Sequence, residues 1–185
     1  MSSRSAVSAL LVRFFVVVGA ALYAVTTVHA TDGDSTLPQL HHLAPDASPA
    51  SATVLLTARR YAAFWNTGEE AYLRQALSPA FVDRTLPAGR PQGLTGPLQA
   101  STTFRAAVPD LSAAMDDVVI AGDRATVHLH FRGHFTGQFN GIHGNGQTVD
   151  FQAFDLYRVV DGKIVENWHL EDNLTLLRQL GAIKP

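Results

Sequence analysis

The sequence predicts an α+β fold, with helices first and a run of antiparallel strands after them. Apolar residues recur at helical spacing between residues 53 and 108. From residue 113 to residue 170, apolar and polar residues mostly alternate, which is typical of strands. Turn sequences at Gly122-Asp123 and Asp161-Gly162 join these strands into hairpins. Elements in this order favour helices packed on one face of a sheet, with room for a pocket between the layers.

The first 30 residues have the features of a secretory signal peptide. Arg4 and Arg13 precede an apolar run that begins at Phe14. Val28-His29-Ala30 then places small residues where a signal peptidase cuts. The uncharged run 14–28 is shorter than the ~20 residues that a spanning helix needs. We therefore expect a periplasmic or secreted protein, cleaved after Ala30, with no stable membrane span after cleavage. An uncleaved anchor is the alternative.

Composition narrows the functional classes. The chain has 185 residues, of which 46% are apolar, which fits one ordinary domain. It has no Cys, which excludes disulfides, thiolate metal sites and a cysteine nucleophile. Of the 14 Lys and Arg residues, two would leave with the signal peptide, so 12 would face 16 Asp and Glu, a formal charge of −4. No basic stripe remains, so nucleic-acid binding is not expected.

The N-terminal half of the mature chain is predicted to contain a linker and the helices. Residues 31–51 are rich in Pro, Ser, Asp and Ala without apolar periodicity, so they are expected to form a flexible linker before a folded domain at 52–185. Helical spacing and Gly/Pro punctuation predict four further segments. In chain order these are a helix over Thr53–Asn66 that Gly68 ends, a short helix over Glu69–Leu77, a strand over Phe81–Leu86, and a helix from Pro97 to Val108 after a loop.

The C-terminal half is predicted to contain four long strands and a closing helix. The strands are Ala113–Ile120, Ala125–His134, Thr148–Val160 and Lys163–Leu170. Four glycines between residues 136 and 147 predict a mobile loop or a bulged turn. Asp172 is the expected N-cap of the last helix, which should extend to Leu180.

Four segments together resemble the SnoaL-like polyketide cyclases of the NTF2-like superfamily. They are FWNTG at 64–68, GHFTGQFNGI at 133–142, DLYRVVDGKIVE at 155–166 and LRQLG at 177–181. The resemblance covers about residues 52–182. It implies an NTF2-like cone, in which N-terminal helices pack on a curved antiparallel sheet and enclose one apolar pocket. It also implies cofactor-free acid–base chemistry, which in the characterised cyclases is an intramolecular aldol ring closure.

The chain departs from the family pattern at the position that matters most for catalysis. Those cyclases use an Asp on the last strand as general acid/base, helped by a His on the preceding strand. Alignment through Arg158 and Asp161-Gly162-Lys163-Ile164 places His169 at the Asp position and Asp155 at the His position. Either the pair survives with exchanged roles or the catalytic acid is lost. Export is a second departure, because a cyclase is expected beside a cytosolic synthase.

His169 and Asp155 are the candidate catalytic residues. A neutral imidazole, with an ordinary pKa near ~6.5, could remove a proton next to a carbonyl, and Asp155 could orient it. The competing interpretation is a structural His–Asp pair that holds two strands in register.

Five further residues are candidates for substrate binding. Tyr61, Trp65, Phe104 and Trp168 would shape an apolar cavity, and Tyr61 and Trp65 share one helix face because they lie four residues apart. His134 would lie at the pocket mouth. Core packing is the alternative for the aromatic residues, and for Trp168 it is the favoured one, since Trp168 alternates onto the strand face opposite His169.

No metal or cofactor is expected. His128 and His130 could share a metal on one strand face, but an alternating strand normally turns its polar residues to water. The expected partner is a small hydrophobic ligand or substrate, with a homodimer possible. Two functions remain open: a cyclase- or isomerase-type enzyme, and a non-catalytic periplasmic module that binds a hydrophobic ligand.

Overall fold

The computed structural model describes residues 37–183, which belong to one compact unit spanning Asp34–Pro185. The predicted signal peptide lies outside the described residues. Within 37–183, no helix combines the length and the apolar character needed to cross a membrane.

The predicted helices all form. They are α1 (Ser51–Thr67), α2 (Glu70–Ala76), α3 (Thr95–Ala107) and α4 (Asn173–Gln179). As predicted, α1 ends at Gly68, whose φ of 78° is left-handed and whose N–H donates to the Phe64 carbonyl at 2.7 Å. Asp172 caps α4, since its side chain accepts from the Thr175 N–H at 3.0 Å. Pro97 is the third residue of α3 rather than the first, a position that proline tolerates because first-turn N–H groups need no helical partner.

The predicted α+β architecture is confirmed. Its main sheet has the strand order β1-β3-β4-β7-β8-β2. These strands are β1 (Leu40–Ala44), β2 (Leu77–Asp83), β3 (Ser112–Ala121), β4 (Arg124–Phe135), β7 (Gln147–Val160) and β8 (Lys163–Glu171). Odd-numbered residues of β4 and β7 are buried along the central pair, while the even-numbered ones point away from the core. The helices cover the buried face.

The prediction of a flexible linker over residues 31–51 is wrong for Leu40–Ala44. This segment forms β1, an edge strand that pairs in parallel with β3. Its sequence, LHHLA, has no alternating pattern, so only the long-range pairing identifies it as a strand. His41 and His42 add side-chain contacts to Asp116 and Asp117 at 3.1 and 3.4 Å.

The predicted strand at Phe81–Leu86 begins and ends several residues too late. The observed β2 follows α2 without a break and pairs in parallel with β8, with Asp83 opposite Asn167. The sheet is therefore mixed and six-stranded in the described residues, with parallel pairs at both edges, rather than a four-stranded antiparallel meander. Pro79 and the bulge between Leu77 and Val82 weaken the local strand signal.

The glycine-rich segment 136–147 contains a small hairpin. Its strands are β5 (Gln138–Phe139) and β6 (Ile142–His143). The N–H of Gly137 donates to the Ala107 carbonyl at 2.9 Å, which ties the hairpin to the end of α3. A Cβ on Gly137 would overlap the Ala106 carbonyl oxygen, so this contact requires glycine. Phe139 thereby reaches the wall of the cavity described next.

Candidate active site

A cavity of about 420 Å³ lies between the helices and the inner face of the sheet. Its volume is within the range of small-molecule sites. Much of the wall is apolar and includes Tyr61, Trp65, Phe104, Leu129, Phe131, Phe139, Phe151, Ala153 and Leu176. Its charged and amide side chains are those of Asp83, Arg90, Gln99, Asp155, Asn167, His169, Glu171 and Asn173. The cavity therefore has a largely apolar wall that also carries a cluster of titratable groups.

Strand register brings the titratable groups together. Asp155 of β7 is directly opposite His169 of β8, so both side chains point to the same face of the sheet. Asn167 and Glu171 lie two residues before and after His169, and therefore share that face. Asp83, at the end of β2, joins them from the other side of β8.

His169 is held between two carboxylates. Its Nδ1 lies 2.7 Å from Glu171 Oε1 and its Nε2 lies 3.0 Å from Asp83 Oδ2, and its side chain is only 8% exposed. Burial alone would lower the pKa of His169. The hydrogen bonds to Glu171 and Asp83, together with the charge of Asp155, outweigh it and raise the pKa to about 9. At neutral pH the ring is an imidazolium that donates from both nitrogens.

For Asp155, the effect of burial on the pKa outweighs the effects of its hydrogen bond and of the nearby positive charge. Asp155 is 5% exposed, and burial raises the pKa of its carboxyl to about 7. The Tyr157 hydroxyl donates to Asp155 Oδ2 at 2.6 Å and restrains this rise, as does the charge of His169. No hydrogen bond joins Asp155 to His169. The orienting contacts that the sequence assigned to Asp155 come instead from Asp83 and Glu171.

Three of the predicted substrate-binding residues line the cavity. Tyr61 and Trp65 of α1 contact each other edge to face, with ring centroids 6.2 Å apart. Phe104 of α3 packs against Phe151 of β7, with centroids 5.7 Å apart. Burial and the charge of Asp155 raise the pKa of the Tyr61 hydroxyl well above its usual value, so it stays a neutral donor. These aromatic rings form part of the apolar wall of the cavity.

The other two predicted substrate-binding residues lie outside the lining of the cavity. The His134 side chain is 58% exposed, and its Nδ1 lies 2.7 Å from Asp110 Oδ2. Trp168 lies on the sheet face opposite His169, as the alternation predicted, with the Arg124 guanidinium 5.6 Å from its ring. His134 points away because, as an even-numbered residue of β4, it belongs to the outer face.

The outer face of the sheet carries a row of His–Asp pairs. His128 contacts Asp117 at 3.2 Å, and His130 contacts Asp150 at 2.5 Å. Each imidazole therefore has a carboxylate partner. Among residues 37–183, no cluster of three or more His, Cys, Asp or Glu side chains has the arrangement of a metal site.

The sequence prediction missed Asp83, Glu171 and Arg90 as residues of the site. Glu171 could have been found, because a residue two positions from His169 on the same strand shares its face. Asp83 gave no such signal, since its place depends on a parallel pairing between segments more than 80 residues apart. Arg90 lies in an irregular loop, whose course no periodic pattern predicts.

Comparison with known proteins gives a consistent family. The sequence profile described as SnoaL-like polyketide cyclase matches residues 55–180. A solved structure of a proposed polyketide cyclase from Bacillus cereus ATCC 10987 is 40% identical, covering 80% of this chain and 95% of that chain, with a TM-score of 0.72. TsrD from Streptomyces laurentii is 28% identical, covering 75% and 100%, with a TM-score of 0.65.

IdmH from Streptomyces antibioticus, another proposed polyketide cyclase, is 29% identical, covering 69% of this chain and 98% of that chain, with a TM-score of 0.63. No curated protein gives a significant match. The family profile covers well over half of the chain, and the architecture is the helix-covered curved sheet that the sequence resemblance implied. The chain therefore belongs to the SnoaL-like polyketide cyclase family, within the NTF2-like superfamily.

Proposed function

We propose that this protein catalyses cofactor-free proton transfer on a small apolar carbonyl compound, a reaction of the cyclase or isomerase type. The observation that carries the proposal is Asp155, a buried carboxyl in the wall of an aromatic cavity with its pKa raised to about 7. A general base works best when its pKa lies near the working pH. A carboxyl whose pKa is raised in this way, inside a cavity, is typical of catalytic acids and bases.

In this proposal Asp155, rather than His169, is the proton-transfer group. The Asp155 carboxylate removes a proton from the carbon next to the carbonyl, and the electron pair of the broken C–H bond moves into an enolate. Asp155, now protonated, can return the proton to product. His169 is unsuited to be the base, since with a pKa of about 9 it is already protonated at neutral pH. Its positive charge, held by Asp83 and Glu171, favours the ionised form of Asp155.

The neutral Tyr61 hydroxyl is the proposed donor to the developing enolate oxygen. It lies in the same cavity, and the charge of Asp155 acts on it directly. A preorganised donor in a water-poor site stabilises charge that appears only in the transition state. Trp65 and Phe104 would hold the apolar part of the substrate.

The decisive experiment is catalysed hydrogen–deuterium exchange. The purified protein is incubated in heavy water with a panel of ketones and β-keto esters, and incorporation is read by mass spectrometry. Asp155→Asn should lose ~10²–10⁴-fold in exchange rate, the usual contribution of a matched general base. Asp150→Asn is the matched control, because Asp150 lies on the same strand but on the outer face. Exchange that persists in Asp155→Asn would refute the role of Asp155.

A non-catalytic binding module is the second candidate function. The observation in its favour is that both nitrogens of His169 are already engaged by carboxylates, as in a structural cluster. Such a module would bind compounds from the panel without any exchange above buffer, and Asp155→Asn would leave their dissociation constants within about twofold. Binding without exchange would therefore replace the enzyme proposal with this one.

We also propose export to the periplasm or the medium. The support is the N-terminal sequence, with Arg4, Arg13, an apolar run and a small-residue cleavage site after Ala30. Expression of the full chain followed by fractionation and N-terminal sequencing tests this. A mature protein that begins at Thr31 outside the cytoplasm is expected, and a cytoplasmic protein that retains Arg4 would contradict it.

A homodimer remains a further proposal. Phe154 and Leu170 are register neighbours on the outer sheet face, and both are exposed large apolar side chains. Exposed apolar pairs of this kind are common at subunit interfaces. Sedimentation equilibrium of the wild type and of Phe154→Glu tests it, with a monomeric wild type as the contrary outcome.

A further inference from the structure

The two basic side chains that line the cavity differ in their partners. His169 contacts two carboxylates, whereas no carboxylate within residues 37–183 lies within 4.0 Å of the Arg90 guanidinium. Arg90 is half-buried, and its charge reaches into the cavity. Although burial acts to raise the pKa of Glu171, the hydrogen bond and charge of His169 lower it, and the charge of Arg90 adds to that lowering. Within residues 37–183, Arg90 therefore makes no ion pair, and its guanidinium can contact an anionic ligand.

Arg90 lies beside the N-terminus of α3. Its Cγ and Cδ lie 3.4 and 3.5 Å from the position that a Cβ on Gly96 would occupy, so the side chain runs next to the first turn of the helix. The first turn of α3 contains no acidic residue, and Leu94 provides no side-chain cap. Pro97, Gln99 and Ala100 of this end line the cavity. The positive end of the helix dipole therefore lies near the guanidinium and adds to the positive potential at this part of the cavity.

A second polar group in the cavity also lacks a protein partner. Asn167 is 3% exposed, and its Oδ1 is buried without a hydrogen bond among the described residues. Buried acceptors are normally satisfied, so an unpartnered Oδ1 in a binding cavity indicates a hydrogen-bond donor, such as a hydroxyl, supplied by the ligand. Asn167 lies two residues from His169 on the same face, which places it at the reacting end of the cavity.

We propose that the substrate is an oxo acid, with a carboxylate bound by Arg90 at the start of α3 and with an enol hydroxyl that donates to Oδ1 of Asn167. This inference rests on the proposed proton-transfer function and names the substrate class for the same site. A planar guanidinium matches a carboxylate through two parallel hydrogen bonds. The apolar body of such a substrate would lie against Trp65 and Phe104, which line the same cavity.

The test for the carboxylate uses 4-oxo-4-phenylbutanoate and its methyl ester, which differ in charge but share the ketone and the ring. Their dissociation constants are measured by calorimetry, so the result does not depend on turnover. The wild type should bind the acid roughly 10- to 100-fold more tightly, the usual effect of a charged hydrogen bond. Arg90→Gln should abolish this preference, and Arg90→Lys should keep only part of it.

Arg84→Gln is the matched control. It removes the same charge close by in the chain, but the Arg84 guanidinium contacts Glu166, with Nε 2.8 Å from Oε1, and does not line the cavity. The preference for the acid should survive in this variant. Equal binding of acid and ester by the wild type, a preference that persists in Arg90→Gln, or no binding of either compound each overturns the proposal.

The test for Asn167 compares 4-hydroxy-4-phenylbutanoate, whose hydroxyl can donate as an enol hydroxyl would, with 4-phenylbutanoate, which has no hydroxyl. The wild type should prefer the hydroxy acid, and Asn167→Leu, which is similar in volume, should lose that preference while keeping the preference for acid over ester. An unchanged preference for the hydroxy acid in Asn167→Leu refutes this part.

Deuterium exchange distinguishes a failure of the oxo-acid inference from a failure of the proposed proton-transfer function. Equal exchange rates on acid and ester would overturn the oxo-acid inference and leave the proposed function intact. An Arg90-dependent preference in binding without any exchange would overturn the enzyme and leave an oxo-acid binding module.

Discussion

Asp155 and His169 are directly opposite each other on β7 and β8, yet both ring nitrogens of His169 contact other carboxylates. Asp155 and His169 therefore interact through their charges and do not form a hydrogen-bonded dyad. The imidazolium lowers the pKa of Asp155 against the larger effect of burial, and the outcome is a carboxyl with a pKa of about 7 beside a histidine with a pKa of about 9. This separation supports the proposed roles, with Asp155 as the proton acceptor and His169 as a fixed charge.

The first prediction concerns the pH dependence of deuterium exchange. A base must be deprotonated to act, so kcat/KM should rise as the pH rises through about 7, where Asp155 ionises. It should fall as the pH rises through about 9, where His169 loses its charge. The profile should therefore be bell-shaped. A rising limb below pH 5 would be that of an ordinary carboxylate and would contradict the assignment.

The second prediction concerns Tyr157→Phe. The Tyr157 hydroxyl donates to Asp155 at 2.6 Å and lowers the pKa of that carboxyl. Its removal should move the rising limb of the kcat/KM profile to higher pH, by about one unit, since one unit corresponds to ~1.4 kcal/mol, the size of one hydrogen bond. The falling limb, which belongs to His169, serves as an internal control and should stay in place. A rising limb that does not move would show that this hydrogen bond does not tune Asp155.

The third prediction is that Asp155→Asn stabilises the fold at alkaline pH. The folded-state pKa of Asp155 is raised from 3.8 to about 7. Its contribution to stability is therefore fully present below pH 3.8 and is lost as the pH rises through about 7, where a charge must be buried. At pH 8 the neutral amide should raise the free energy of unfolding by ~1–3 kcal/mol, and the gain should vanish toward pH 4. Urea unfolding at both pH values measures this difference, and a loss of stability at pH 8 would contradict it.

The fourth prediction is that His169→Gln destabilises the fold most strongly at neutral and acid pH. The folded-state pKa of His169 is raised from 6.5 to about 9. Its stabilisation is therefore fully present below pH 6.5 and is lost as the pH rises through about 9. Without the cation, Asp83 and Glu171 are left in the site without its compensating charge, which should cost ~2–4 kcal/mol at pH 6.5.

Thermal or urea unfolding of His169→Gln at pH 6.5 and pH 10 tests the fourth prediction. The difference from wild type should shrink at pH 10, where the wild-type ring has itself lost its proton. A difference that is constant with pH would indicate that packing, rather than charge, explains the effect. His128→Gln on the outer face, where Asp117 is solvent-exposed, provides a comparison for an exposed His–Asp pair.

The sequence by itself determined the elements whose signals are local. Helical spacing gave α1 and α3 to within two residues, Gly68 fixed the end of α1, and the Asp161-Gly162 turn fixed the β7–β8 hairpin. That turn fixes only the pairs next to it, because the register shifts by one residue between Arg158 and Val159. Continued without this shift, the turn register would place Asp155 opposite Trp168, so the pairing of Asp155 with His169 depends on an irregularity that the local pattern does not show.

The tertiary structure alone decided the edge strands and the chemistry of the site. β1 and β2 form through parallel pairing with distant segments, and β2 carries Asp83 to His169. The place of Arg90 in the cavity lining depends on the course of an irregular loop. Protonation states follow from burial and from partners that are far apart in the chain, so no local pattern could show that the pKa of His169 is raised to about 9 and that of Asp155 to about 7.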